Sequence, residues 1–264
     1  MRFSASVLGI WLLMALVGAL PWLQPHLVSL PEILMPPSPA HWLGTDELGR
    51  PVLDRLLAGA SVSLLVAVIT VTLSAAIGIT VGLVAGWFGG PVDRVISRLI
   101  EVFLAFPGML LAIAMAAMIG PGVDNVIIAL AVMGWVGYAR LVRVQVLSLR
   151  QRDHVLAAAA LGRTNLAIMT RHLLPLVMAP VWVEASFGLA GAVVAEAGLS
   201  FLGLGIQPPD ASWGGMIRDG VRYLLVAPHL VLAPGVGLFL VVLAANLFGD
   251  ALRDRFDVTS RSTP

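Results

Sequence analysis

The stretch SVSLLVAVITVTLSAAIGITVGLVAGWF, Ser61 to Phe88, runs for 28 residues without an Asp, Glu, Lys or Arg. The hydrocarbon core of a bilayer is about 30 Å thick and takes roughly 20 apolar residues to cross as a helix. A helix apolar on every face belongs in a membrane or in the core of a large protein. This chain is not large: it has 264 residues, 59% of them hydrophobic and 12% charged. A typical soluble domain carries about 25% charged residues, and a soluble surface needs more polar covering than this sequence supplies. The chain reads as an all-α integral membrane protein.

Five further windows have the same character. Phe3 to Leu30 comes first, with its helical part ending near Pro21 or Pro25. Val102 to Pro121 contains Pro107 and is expected to kink there. Asn125 to Ala139 is short but continues as a helix through Arg140 and Arg143. Leu173 to Ala195 is interrupted only by Glu184. Tyr223 to Gly249 holds Pro228, His229 and Pro234, so its helix begins after one of the prolines. The expectation is six spanning helices. Residues 1–60 supply the first helix and an outer loop, and residues 61–264 form a core of five. The start resembles a secretory signal in carrying Arg2 before an apolar run. That run is long for a signal and no small-x-small cleavage site follows it, so it reads as a span.

All 16 basic residues are arginine, and there is no lysine or cysteine. A P-loop nucleotide site needs a lysine on the phosphates, and Schiff-base chemistry needs one as nucleophile. Disulfides, thiol nucleophiles and thiolate metal sites are excluded as well. The five histidines show no metal-ligand spacing. Six spans put both termini on one side. That side then holds Arg2, Arg94, Arg98, Arg140, Arg143, Arg150, Arg152, Arg163, Arg171, Arg253, Arg255 and Arg261, leaving Arg50, Arg55, Arg218 and Arg222 on the other. Basic residues favour the cytoplasm, so both termini are expected inside.

Between the spans, the outer loop from about Gln24 to Ala60 is proline-rich (Pro31, Pro36, Pro37, Pro39) before the polar run HWLGTDELGR. Pro51 to Ala60 reads as a short amphipathic helix leading into the second span. A second outer loop, Leu199 to Arg222, has too much Gly and Pro for a simple helix. Its apolar start, Leu199 to Ile206, suits a dip to membrane depth inside the protein. Gly78, Gly82 and Gly86 make a small-xxx-small stripe for close helix packing, and Gly134, Gly137, Gly188 and Gly191 suit the same use. Intramembrane carboxylates cost about 2.5–3.5 kcal/mol on insertion scales. Glu184 and Glu196 are therefore expected to face the bundle or a wet cavity, and both are candidates for a translocation path. Glu184 would attract a cation or a peptide amino group, and Glu196 also suits support of the Leu199 loop. Arg98 and Glu101, one turn apart, suit an ion pair at the inner surface.

The inner loop, about residues 150–175, reads DHVLAAAALG from Asp153 to Gly162 and then RTNLAIMTRHLLP to Pro175. Val155 to Leu161 favours helix, Gly162 is a stop, and Leu166, Ile168 and Met169 restart an apolar pattern. The expectation is two short helices about a glycine break, lying along the cytoplasmic surface. Such an element is either a docking site for a partner or an ordinary interfacial hairpin.

The pattern A-A-x-x-x-G followed by R-H-x-L-P resembles the EAA loop of ABC-importer permeases. It is most similar to the subfamily that imports dipeptides, oligopeptides and nickel. Leu43 to Arg55 and Leu199 to Pro209, with Trp213-Gly214, resemble the same subfamily, in particular its C-type permease subunit. The resemblance runs from about Trp42 to the C-terminus. Two positions depart from it: Leu156 stands where the acidic residue of the motif falls, and Pro51 where the subfamily often has Asp.

The resemblance implies the type I ABC importer fold, with six spans and a cytoplasmic coupling-helix loop. It implies a transport subunit in the bacterial inner membrane, with no cofactor of its own. The implied partners are a second homologous permease, two ATPases that bind the ATP and Mg, and an extracytoplasmic substrate-binding protein, with lipid around them and no nucleic acid. It assigns Ala157 and Ala158 to close approach to an ATPase groove and Gly162 to the turn. Arg171, His172 and Pro175 anchor the second helix. The cargo would be a peptide or related small solute, or alternatively nickel or a nickel chelate. Rival classes are a channel or secondary transporter, many of which show inverted repeats, and a membrane enzyme, which needs clustered His, Asp or Glu. Neither feature is present in the sequence.

Overall fold

The computed structural model describes residues 2–21, 23 and 25–261, with side chains as far as residue 256. Gln24, the expected start of the outer loop, and the Arg261 side chain lie outside the described residues. The described secondary structure is helical. In chain order the helices are α1 (Arg2–Gly18), α2 (Val52–Phe88), α3 (Gly90–Leu104), α4 (Gly108–Ile119) and α5 (Val123–Leu149). There follow α6 (Asp153–Ala160), α7 (Asn165–Ile168), α8 (Leu174–Phe201), α9 (Trp213–Val221) and α10 (His229–Arg261).

Four of the described helical stretches are long and apolar enough to cross a membrane unaided: α2, α5, the run from Asn165 to Phe201, and His229 to Phe256. Helix α1, with 17 residues, lies at the short limit for a span. The expected third span departs furthest from its reading. Instead of one kinked helix, α3 and α4 meet at 83°. Pro107 disfavours helical backbone at Phe106 and opens α4, so the chain turns where a kink was expected. Among the described residues, four helices and the broken α3–α4 pair are long and apolar enough to cross a membrane, one fewer than the six expected, because α1 is short. Residues 60 and 61, the expected domain division, lie inside α2, which absorbs the expected Pro51–Ala60 helix.

The glycine stripe explains the closest packing. A Cβ on Gly82 would lie 2.6 Å from Ala139 O and 2.8 Å from Val142 Cβ, and one on Gly86 2.7 Å from Val146 Cβ. Gly78 meets Trp135 and Tyr138 of α5 in the same way. Without side chains at these three positions, α2 and α5 pack along their backbones. At the end of α2, Gly89 takes φ +63° and the chain turns into α3. There Arg150 Nη1 donates to Gly86 O at 3.0 Å, serving a carbonyl that the helix end leaves open. The bidentate pair Arg143–Asp93 ties α3 to α5 at the same end, beside the exposed Arg98–Glu101 pair at 2.8 Å.

At the opposite end, the polar loop folds around Asp46. Its Oδ1 accepts from Leu48 N and Arg50 N, both at 2.9 Å. Its Oδ2 accepts from Arg50 Nε at 2.7 Å and Arg55 Nη1 at 2.6 Å. Asp46, Arg50 and Arg55 are buried. The second outer loop is partly helical: α8 continues through Phe201, a turn follows, and Ser212 caps α9 by accepting from Gly215 N at 3.0 Å. The expected dip survives in part, since Leu199 and Ile206 are buried while Phe201 and Leu202 are exposed. Trp213, also buried, donates to Leu56 O at 2.9 Å and fastens α9 against α2.

Candidate functional site

The sequence-predicted residues fall in two places. The first is the element between α5 and α8, at the arginine-rich end. Helix α6 ends in a double-bonded turn: Gly162 N donates to Ala159 O at 3.0 Å and Arg163 N to Ala158 O at 3.1 Å, with Gly162 at φ +75°. That is a Schellman ending, and the left-handed backbone at its last position favours glycine. Thr164 then caps α7 by accepting from Ala167 N at 3.3 Å.

The second short helix is not a separate element. After α7 comes a single π turn, Met169–Leu173, in which Leu174 N bonds Met169 O, and the helix continues as α8. Pro175 supplies the reason, because it has no N–H for Arg171 O and the ladder widens one turn earlier. The element expected to couple to a partner therefore consists of α6 and the first turns of the long apolar helix that ends at Phe201. Val155, Ala158, Ile168 and Leu173 are buried in one cluster with Val142, Val146 and Val177 of α5 and α8. Of the two alanines assigned to a partner, Ala158 packs inward and Ala157 is exposed. Leu156 and Leu161 lie exposed on the same short helix and its end, at 54% and 85%. Arg171 and Pro175 are exposed and His172 half-buried.

The second place is a cavity of about 460 Å³ between α2, the α3–α4 bend, α5 and α8. Glu184 lines it, and also lines a neighbouring cavity of about 500 Å³ that holds Gln145 and Arg253. Glu184 is thus the shared wall of two cavities. Gly191 opens onto the first: a Cβ there would meet nothing within 4 Å, so it does not serve the helix packing expected of it. Gly134 and Gly188 do face side chains closely, those of Ser74 and Tyr138. Glu196 lines neither cavity. It is fully buried, accepting from Ser63 Oγ at 2.9 Å and Ser200 Oγ at 2.8 Å.

Sequence reasoning missed Thr70, Ser74 and Tyr138, which also line the first cavity. Thr70 and Ser74 stand one turn apart in the uncharged Ser61–Phe88 run, and that spacing was the available signal.

The described residues form a bundle of long apolar helices, with a short helix and a tight turn at the arginine-rich end and a cavity between α2, α5 and α8. Residues 78–261 match the family described as "binding-protein-dependent transport system inner membrane component", and the chain belongs to that family, the permease subunits of ABC importers. It is 43% identical over 229 residues to a dipeptide transport system permease protein of Alkalihalophilus pseudofirmus, covering 87% of this chain and 75% of the relative. It is 40% identical over 258 residues to the nickel transport system permease protein of Escherichia coli K12, covering 97% and 93%. A glutathione transport system permease protein of Pectobacterium atrosepticum is 42% identical over 226 residues, with 86% and 75% covered. Among solved structures, a chain of the MetNI methionine ABC transporter in inward-facing conformations matches with a TM-score of 0.62 at 21% identity. It covers 77% of this chain and 97% of that one, and shows the shared fold.

Proposed function

We propose that this permease subunit forms half of the translocation path of an ATP-driven importer of peptides or a related small solute. A second homologous permease forms the other half. Two ATPases that hold ATP and Mg dock at α6, and an extracytoplasmic binding protein delivers cargo to the outer loops. The observation that carries the reading is the coupling element. An exposed face of Ala157, Leu156 and Leu161 stands on a helix whose other face is buried against both α5 and α8. A push on α6 therefore moves two spanning helices together. Coupling of this kind needs contacts that differ between two states, and ATPases that close and open supply them.

Both termini then lie in the cytoplasm of a multi-pass inner-membrane subunit. The arginine count supports this. So does the pairing of three of the four outer arginines with carboxylates: Arg50 and Arg55 with Asp46, and Arg218 with Asp219 at 3.1 Å. Peptide cargo is favoured over nickel by the first cavity, whose described lining offers a carboxylate and hydroxyls but no imidazole or thiolate. The nickel reading rests on the relative that aligns along nearly its whole length.

The test is purification of the tagged chain with its co-expressed partners from solubilised membranes. ATPase subunits are expected to copurify with the wild type and to be lost from the Gly162→Glu variant, which still inserts. Undiminished ATPase recovery with that variant would remove α6 as the docking site.

A further inference from the structure

The cavity lined by Glu184 carries more polar chemistry than helix packing requires. Thr70, Ser74 and Tyr138 are 4%, 2% and 4% exposed, and Thr70 Oγ1, Ser74 Oγ and Tyr138 Oη have no hydrogen-bond partner among the described residues. A serine or threonine in a spanning helix can return its hydroxyl to the carbonyl one turn back. Thr72 does this on α2, to Val68 O at 2.7 Å, and so does Thr80, to Ala76 O at 2.8 Å. Both are exposed. Thr70 and Ser74, on the same helix but facing the cavity, leave their hydroxyls unused, and a buried polar group without a partner is costly.

The helices opposite have glycines where these polar groups come close. Gly134 faces Ser74 Oγ, Gly188 faces Tyr138 Oη, and a Cβ on Gly137 would lie 3.3 Å from Glu184 Oε1. Among the described residues, no ion pair involves Glu184. Glu184 and Tyr138 line the same cavity. A lone carboxylate with three unused hydroxyls at one cavity presents negative charge and acceptor lone pairs, and an ammonium group has three N–H donors and no acceptor.

We propose that Glu184, Tyr138, Ser74 and Thr70 form a cation subsite that receives a primary ammonium group of the cargo, which an unmodified peptide carries at its N-terminus unless it begins with proline. This rests on the reading of the chain as a peptide permease. The carboxylate supplies the charge and the hydroxyl oxygens accept the remaining N–H bonds. Because Glu184 also walls the second cavity, the group is held where the path continues.

The absence of cysteine from the chain makes a direct test available. In the assembled transporter, Gly191→Cys places a single thiol in open space at the cavity wall. Its labelling by a trimethylammonium thiosulfonate and by a sulfonate thiosulfonate is followed on this subunit by mass spectrometry. The cationic reagent is expected to react about tenfold faster or more, and Glu184→Gln to bring the ratio within about threefold. Excess dialanine is expected to slow the cationic reagent at least about threefold by occupying the site. Equal rates for the two reagents, a ratio indifferent to Glu184→Gln, no protection by dialanine, or no labelling at all would each overturn the subsite. Failure of the peptide reading itself shows separately, as absence of ATP-driven dialanine uptake by the wild-type transporter.

Discussion

Ser63 Oγ donates to Glu196 Oε2 at 2.9 Å, joining α2 to α8 between positions 133 residues apart. The other carboxylate oxygen accepts from Ser200, whose own oxygen accepts from Ile206 N at 3.1 Å, so the network continues into the loop before α9. Every group in it is buried and satisfied. Glu196→Ala would strand two hydroxyls and is expected to cost about 1–3 kcal/mol, read as a lower melting temperature of the solubilised protein. Glu196→Gln keeps most of the bonds and should lose less. An unchanged melting temperature for the alanine variant would show that the network does not hold the loop.

The glycine stripe gives a paired prediction. At Gly82 the added methyl of an alanine meets a carbonyl oxygen and a Cβ, neither of which can swing aside. Gly82→Ala should therefore force α2 and α5 apart, at about 1–3 kcal/mol. Gly191→Ala, which meets nothing, should leave stability unchanged or slightly raised through helix propensity. Equal melting temperatures for the two variants would contradict the packing account.

Asp93 and Arg143 carry the attachment of α3 to α5. Both side chains are partly exposed, at 18% and 26%, so a double-mutant cycle with Asp93→Asn and Arg143→Gln is expected to give a modest coupling of about 1 kcal/mol. Faster amide hydrogen exchange should appear in the first turns of α3 in either single variant. Exchange confined to other helices would show that the pair does not anchor α3.

Gly162 separates backbone strain from docking. Its φ of +75° is tolerated by asparagine at small cost, and a Cβ there meets nothing within the chain. Gly162→Asn should retain most of the ATP-driven uptake, whereas Gly162→Glu, which puts a charge on the proposed docking face, should lose about tenfold or more with the protein still in the membrane. Equal uptake by both variants would remove the face from the mechanism.

Much of this was legible in the sequence, for identifiable reasons. The spans show because bilayer thickness sets a long apolar period. The Gly78–Gly86 stripe shows because close approach needs residues without side chains. The Gly162 turn shows because few residues fit that backbone. The α3–α4 bend was read as a kink because proline alone does not say whether a helix resumes along its old axis. Ala158 was assigned outward because the motif gives residue types, and only the packing of Val155 and Ile168 shows which face of α6 is buried. The cavity hydroxyls were invisible for a related reason. Thr70 and Thr72 read alike in the sequence, and only the fold turns one to the cavity and the other away from it.

The most direct measurement of the central claim is solute uptake into proteoliposomes containing the transporter assembled from this subunit, its partner permease, the ATPases and the binding protein. The account predicts that dialanine accumulates against its gradient only with ATP on the side where α6 lies, and that accumulation stops with a non-hydrolysable analogue. Passage of dialanine through the purified chain alone, without ATP, would contradict it.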